Sequence, residues 1–174
     1  MGENVVLVKP NVDLREEYLS FYKEWKESGE TMVPWVISKD PTDFLGMVKD
    51  LLAQEKGENL PEGWVPDSTY WLVNDSRKIL GAVNIRHGLT EALKNSGGHI
   101  GYGIRPSERR KGFATKLLSL ALEKIEELGV KKVLVVCDED NIASAKTILN
   151  NGGVPDIDYV EEDGNVIKRF WINI

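Results

Sequence analysis

Gly98-His99-Ile100-Gly101-Tyr102-Gly103-Ile104-Arg105-Pro106-Ser107-Glu108-Arg109-Arg110-Lys111-Gly112-Phe113-Ala114-Thr115-Lys116-Leu117-Leu118 is the most informative stretch of the 174-residue chain. It reads as a strand from His99 to Ile104, stopped by Pro106, then a basic turn, then the first turns of an amphipathic helix. Phe113, Leu117, Leu120, Ala121, Leu122, Ile125 and Leu128 give that helix a broad apolar face, and Gly129 ends it. Arg105, Arg109, Arg110 and Lys111 crowd cations ahead of it. A helix N-terminus offers unpaired N–H groups and a partial positive charge, and Gly112 lets a ligand approach the backbone. The pattern fits a diphosphate site, although basic turns before helices are also common in proteins that bind no anion. The glycines at 101 and 103 lie within the strand, so they do not make a dinucleotide fingerprint, and no Gly-Lys-Ser/Thr marks a P-loop.

Working outward, Val133 to Cys137 is a continuous apolar run, as in a strand covered on both faces. Asn141-Ile142-Ala143-Ser144 then opens a helix reaching about Asn150 and closing at Gly152-Gly153. A terminal hairpin is expected from Tyr159–Glu161, a turn at Asp163-Gly164, and Val166–Ile172. Upstream, Val5–Val8 reads as a strand, and helical spacing marks Leu14 to Trp25 and Phe44 to Leu52. Glu55 to Pro66 is polar and irregular; Thr69–Val73 and Ile79–Ile85 read as hairpin strands. Residues 88–98 read as a loop with one helical turn. The order is β-α-α-β-β-β-α-β-α-β-β, a mixed α/β fold with antiparallel hairpins early and a βαβ unit late.

Composition narrows the function classes. The chain is 41% hydrophobic and 29% charged, with net charge −6, ordinary for a globular domain and unlike a nucleic-acid binder. One cysteine, Cys137, excludes an internal disulfide, and with only two histidines no metal site is expected. No apolar stretch approaches a membrane span and no leader pattern opens the chain, so a cytoplasmic location is expected.

Arg109-Arg110-Lys111-Gly112-Phe113-Ala114 resembles the Arg/Gln-x-x-Gly-x-Gly/Ala motif of the GNAT N-acetyltransferases, with the strand before it and the helix after it. Asn141-Ile142-Ala143-Ser144, between an apolar strand and an apolar helix, resembles the Asn-x-x-Ser unit of the same family. The strong resemblance covers about residues 79–154, nearest to uncharacterised bacterial members, and it names no substrate. It implies a single domain over 1–174 with a strongly twisted, helix-flanked sheet whose central strands splay to hold pantetheine. Acceptor-side helices would span about 11–60, an acetyl-CoA core about 79–154, and a C-terminal hairpin about 157–174. It implies acetyl-CoA as co-substrate, with the diphosphate on the backbone from Arg110 to Thr115 and pantetheine along the strand ending at Ile104. A backbone N–H near Ile104 would polarise the thioester carbonyl. Asn141 would contact pantetheine and Ser144 would stand beside it. One departure is that Ile148 occupies the position where many members carry a tyrosine acid.

The remaining candidates divide between chemistry and plain structure. His99 reads as a general base by its ordinary pKa, or as a solvated strand-end histidine. His87 and Tyr102 read as lesser catalytic candidates against packing roles. Cys137 stands beside Asp138, which disfavours its thiolate. Asp138-Glu139-Asp140 is a solvated loop that would also favour a cationic acceptor. Of the 14 aromatic residues, nine precede residue 72, so Trp25, Trp35, Trp64 and Trp71 are either core or the wall of an apolar acceptor pocket. The expected function is acetyl transfer to the primary amine of a small molecule by direct attack in a ternary complex. Alternatives are protein or peptide N-acetylation and a non-catalytic acyl-CoA-binding module; a homodimer is also open.

Overall fold

The computed structural model describes residues 3–174; Met1 and Gly2, where the expected domain begins, lie outside the described residues. The elements follow the expected order: β1 (Val5–Val8), α1 (Arg15–Ser28), α2 (Phe44–Glu55), β2 (Asp67–Asn74), β3 (Ile79–Arg86), β4 (Ile100–Ile104), α3 (Phe113–Glu127), β5 (Lys132–Asp138), α4 (Ile142–Asn150), β6 (Val154–Val160) and β7 (Val166–Asn173). They form two antiparallel sheets, β1-β2-β3-β4 and β5-β7-β6.

Alternation of side chains along β2 and β3, shifted in phase by the register irregularity at Leu80, builds a core on each face of the first sheet. Tyr70, Leu72, Leu80, Val83 and Ile85 pack against α3 residues Leu117, Leu118, Ala121 and Ile125. Trp71, Val73, Ile79 and Ala82 pack the other way, against Tyr18, Phe21 and Trp25 of α1 and Met47, Val48 and Leu51 of α2. Trp25 and Trp71 are thus core, at 2% and 0% exposure.

The late βαβ unit carries the splay that the resemblance implies. β4 and β5 belong to different sheets, so α3 joins two strands that share no ladder. They meet at one point, where the His99 N–H donates to the Leu134 carbonyl at 2.7 Å. Beyond it they diverge. In the β3–β4 register, Gly103 pairs with Ala82 and Arg105 donates to the Leu80 carbonyl. Those odd-numbered residues spend their backbone groups on β3, so alternation turns Tyr102 and Ile104 N–H toward the β5 side.

The final hairpin starts earlier than expected, because β6 runs from Val154 and includes Pro155. As an exposed edge strand with a register shift between Asp156 and Tyr159, it tolerates a proline and charges that a central strand would not. Among the described residues, no helix is long and apolar enough to cross a membrane.

Candidate active site

The turn between β4 and α3 is built from the backbone more than from its cations. Gly112 caps α3 at φ +84° and supplies no side-chain cap. The first helical bond runs from Lys116 N–H to Gly112 O, so the N–H groups of Phe113, Ala114 and Thr115 have no partner within the helix. Arg110 also adopts positive φ, +63°. A cavity of about 570 Å³ opens here, lined by Glu3, Asn4, Val5, Lys111, Gly112, Phe113 and Lys116. Free N–H groups, two lysines and open space at a helix N-terminus fit a diphosphate.

Two of the arginines expected at this turn, Arg105 and Arg109, point elsewhere. Arg105 is buried and turns inward to α1, donating to Glu24 Oε1 at 2.9 Å, Ser20 Oγ at 2.8 Å and the Ile79 carbonyl at 3.3 Å. Arg109 pairs with Glu30 at 2.9 Å and lies over the Trp25 ring. Lys111 remains at the cavity while sharing Glu108 with Lys78. Arg105 and Arg109 therefore tie the turn to α1 and to Glu30 just beyond its end.

His99 is placed as a structural pin. It is 5% exposed, and its Nδ1 accepts the Leu134 N–H at 2.9 Å. Burial, with Arg86 nearby, lowers its pKa to about 4. The lone pair of Nδ1 is spent on Leu134 and the neutral ring is strongly favoured, so this placement contradicts the general-base expectation. Its burial likewise removes the solvated alternative. His87 is similarly engaged, its Nε2 2.7 Å from Ser68 Oγ, with burial lowering its pKa.

The divergence of β4 from β5 is lined by Tyr102, Cys137 and Ser144. The Tyr102 hydroxyl lies 2.8 Å from Ser144 Oγ on α4. Burial outweighs that bond and raises the phenol to about 12. Burial also raises the Cys137 thiol, with Asp138 adding to it, so this cysteine is held protonated. Asn141 caps α4, its Oδ1 accepting the Ser144 N–H at 3.1 Å. That is the role of an N-cap, and it orients Ser144 toward Tyr102. Ile148 is fully buried and packs in the core beside Tyr102.

On the opposite face of the first sheet lies a cavity of about 350 Å³, lined by Trp35, Gly63, Trp64, Val65, Asp67, Asn84, Arg86, Thr90, Ala92 and Leu93. Trp35 and Trp64 meet edge to face at 5.3 Å and form an aromatic wall. The floor is polar. Asp67 is 3% exposed, and its Oδ1 accepts the Asn84 Nδ2 at 2.6 Å. Burial raises the Asp67 pKa, opposed by that bond and by Arg86. Asn84 Oδ1 is buried without a partner. Asn84 is the register partner of Gly101 on β4, so this floor is one strand spacing, about 4.8 Å, from the strand expected to carry the thioester. Gly103 admits the Val33 carbonyl, since a Cβ would sit 2.0 Å from it.

Reading the sequence missed Asp67, Asn84 and Arg86. Their signal was polar residues at alternate positions, 67 and 69, 84 and 86, inside otherwise apolar strands. Among the described residues, no group of His, Cys, Asp and Glu could hold a metal ion.

Residues 5–154 match the acetyltransferase (GNAT) domain model. The structure of the microcin C7 self-immunity acetyltransferase MccE, in complex with acetyl-CoA and AMP, matches with a TM-score of 0.70 at 18% identity, covering 99% of this chain and 94% of that one. RimL, a ribosomal L7/L12 α-N-protein acetyltransferase in complex with coenzyme A, gives 0.71 at 13%, covering 99% and 96%. Mutant forms of the Vibrio cholerae spermidine/spermine N-acetyltransferase SpeG give 0.65 at 16%, covering 97% and 93%. No curated protein sequence matches the chain.

Proposed function

Since the chain belongs to the GNAT acetyltransferase family, we propose that it acetylates the primary amine of a small molecule seated in the Trp35–Trp64 cavity, by direct attack in a ternary complex. The observation that carries this reading is a buried carboxylate, Asp67 on β2, in an aromatic-walled cavity whose Asn84 floor lies one strand spacing from β4.

Bound acetyl-CoA supplies an activated acetyl thioester. The uncapped start of α3, with Lys111 and Lys116, would hold its diphosphate, and the divergence of β4 from β5 would take the pantetheine arm. Ile104 N–H, turned away from β3, is the donor for the thioester oxygen. Asp67 receives the acceptor ammonium and takes its proton; its raised pKa makes it a better base than an exposed aspartate. Tyr102, protonated far above neutral pH and held by Ser144, returns a proton to sulfur. The small volume of the cavity, about 350 Å³ between Trp35, Trp64 and Val65, favours a small amine over a polypeptide.

Replacing Asp67 by Asn tests the assignment. Amine-dependent thiol release should fall by about 10²-fold or more, with acetyl-CoA affinity by calorimetry retained. The acid limb of kcat/KM, set in the wild type above the usual aspartate value near 3.9, should disappear. Asp67→Asn turning over at the wild-type rate would remove Asp67 from the chemistry.

A further inference from the structure

Arg86 is the charged group in the acceptor cavity that acetyl transfer itself does not use. It stands two residues beyond Asn84 on the same face of β3, and its register partner on β2 is Asp67. A largely buried guanidinium is rare and ordinarily paired. Here one N–H donates to the Gly97 carbonyl at 3.1 Å. Among the described residues, no carboxylate forms an ion pair with it, Asp67 included. The rest of its fork has no protein acceptor, although it faces a cavity and burial disfavours its charge.

Carboxylate and guanidinium thus stand on adjacent strands, about 4.8 Å apart in backbone spacing, without closing on each other. A cavity that only gripped an ammonium would gain nothing from a cation beside it, which repels the ligand. A ligand with both charges resolves the arrangement. An α-amino acid carries its ammonium and carboxylate on one carbon, so its two ends span such a gap. Its side chain then meets Trp35 and Trp64, whose stacked edge-to-face pair suits an aromatic or branched apolar group.

We propose that the acceptor is an α-amino acid with an aromatic or branched apolar side chain, its ammonium at Asp67 and its carboxylate in the fork of Arg86. The inference rests on the amine-acetylating reading above and narrows its substrate.

The test is thiol release from acetyl-CoA across the twenty amino acids. The best of them is then compared with its methyl ester and its decarboxylated amine, each rate corrected for the fraction of free amine. Charge-assisted hydrogen bonds are worth about 1.5–3 kcal/mol, so the free acid should exceed both analogues by roughly 10-fold or more in kcat/KM. Arg86→Met should bring that ratio close to one, and Arg86→Lys should keep part of it. Because the ratio is read within each protein, a general loss of activity does not mimic the result. If Arg86→Met fails to fold, the wild-type and Arg86→Lys ratios decide. Analogues used as well as the acid by the wild type, or a ratio unchanged in the variants, would overturn the inference. Acceptance of simple amines with rejection of every amino acid would do the same, while leaving acetyl transfer to amines intact. Failure of every amine, amino acids included, to promote thiol release would instead remove the underlying reading.

Discussion

Protonating His99 should pull apart the point where the two sheets meet. Its Nδ1 accepts the Leu134 N–H and its own N–H donates to the Leu134 carbonyl, so the ring and backbone of one residue hold β4 against β5. The pKa falls from the ordinary histidine value near 6.5 to about 4 because burial disfavours the cation and Arg86 adds repulsion. The depressed value favours the neutral ring in the folded state. Stability from this site is therefore complete above pH 6.5 and declines as pH falls toward 4, where the folded state also protonates. A fall from near 6.5 to about 4 is worth about 3 kcal/mol in full, of which about 2 kcal/mol is lost by pH 5. Urea unfolding at pH 7.5 and 5.0 measures it. His99→Asn places an oxygen near the Nδ1 position and does not titrate, so its stability should change less between the two pH values by about 2 kcal/mol. His99→Leu leaves the Leu134 N–H buried and unpaired, costing about 1–3 kcal/mol at pH 7.5. Equal pH dependence in wild type and His99→Asn would refute the reasoning. So would a kinetic limb at pH 6–7 that His99→Asn abolishes, because that would restore the histidine as the base.

Gly112→Ala forces a non-glycine residue to φ +84° and sets a methyl at the uncapped start of α3. Calorimetry should show acetyl-CoA affinity lowered by about 10-fold or more, with stability lowered by about 1–2 kcal/mol. Tyr102→Phe removes the hydroxyl facing Ser144. Stability should drop by about 1 kcal/mol and kcat by about 10²-fold, with KM for acetyl-CoA little changed; a kcat near wild type would leave the proton to solvent.

Much of the fold was legible because each element announced its own period. The apolar spacing of α3, the continuous run of β5 and the stop at Gly129 are local signals, and the structure follows them. What sequence could not show was partnership. The splay of β4 from β5 was expected from the resemblance, but the pin that His99 makes to Leu134 was not, since a histidine's preference for a backbone partner leaves no periodic trace. Arg105 looked like part of a cationic turn, and only the approach of α1 shows Glu24 and Ser20 claiming it. Trp25 and Trp35 have the same composition signal, but one fills the core and the other walls a cavity. Asp67 and Asn84 are far apart in sequence and give no local sign of each other, because their hydrogen bond crosses between two strands.

The central claim is that an acetyl group passes directly to an amine held in the Trp35–Trp64 cavity. Following thiol release and N-acetylated product together, by absorbance and mass spectrometry, tests it most directly. The account predicts one acetylated amine per thiol released, no thiol release without amine, and loss of both products when Asp67 is replaced by Asn. Tight binding of acetyl-CoA without amine-dependent thiol release would contradict it and leave the protein an acyl-CoA-binding module.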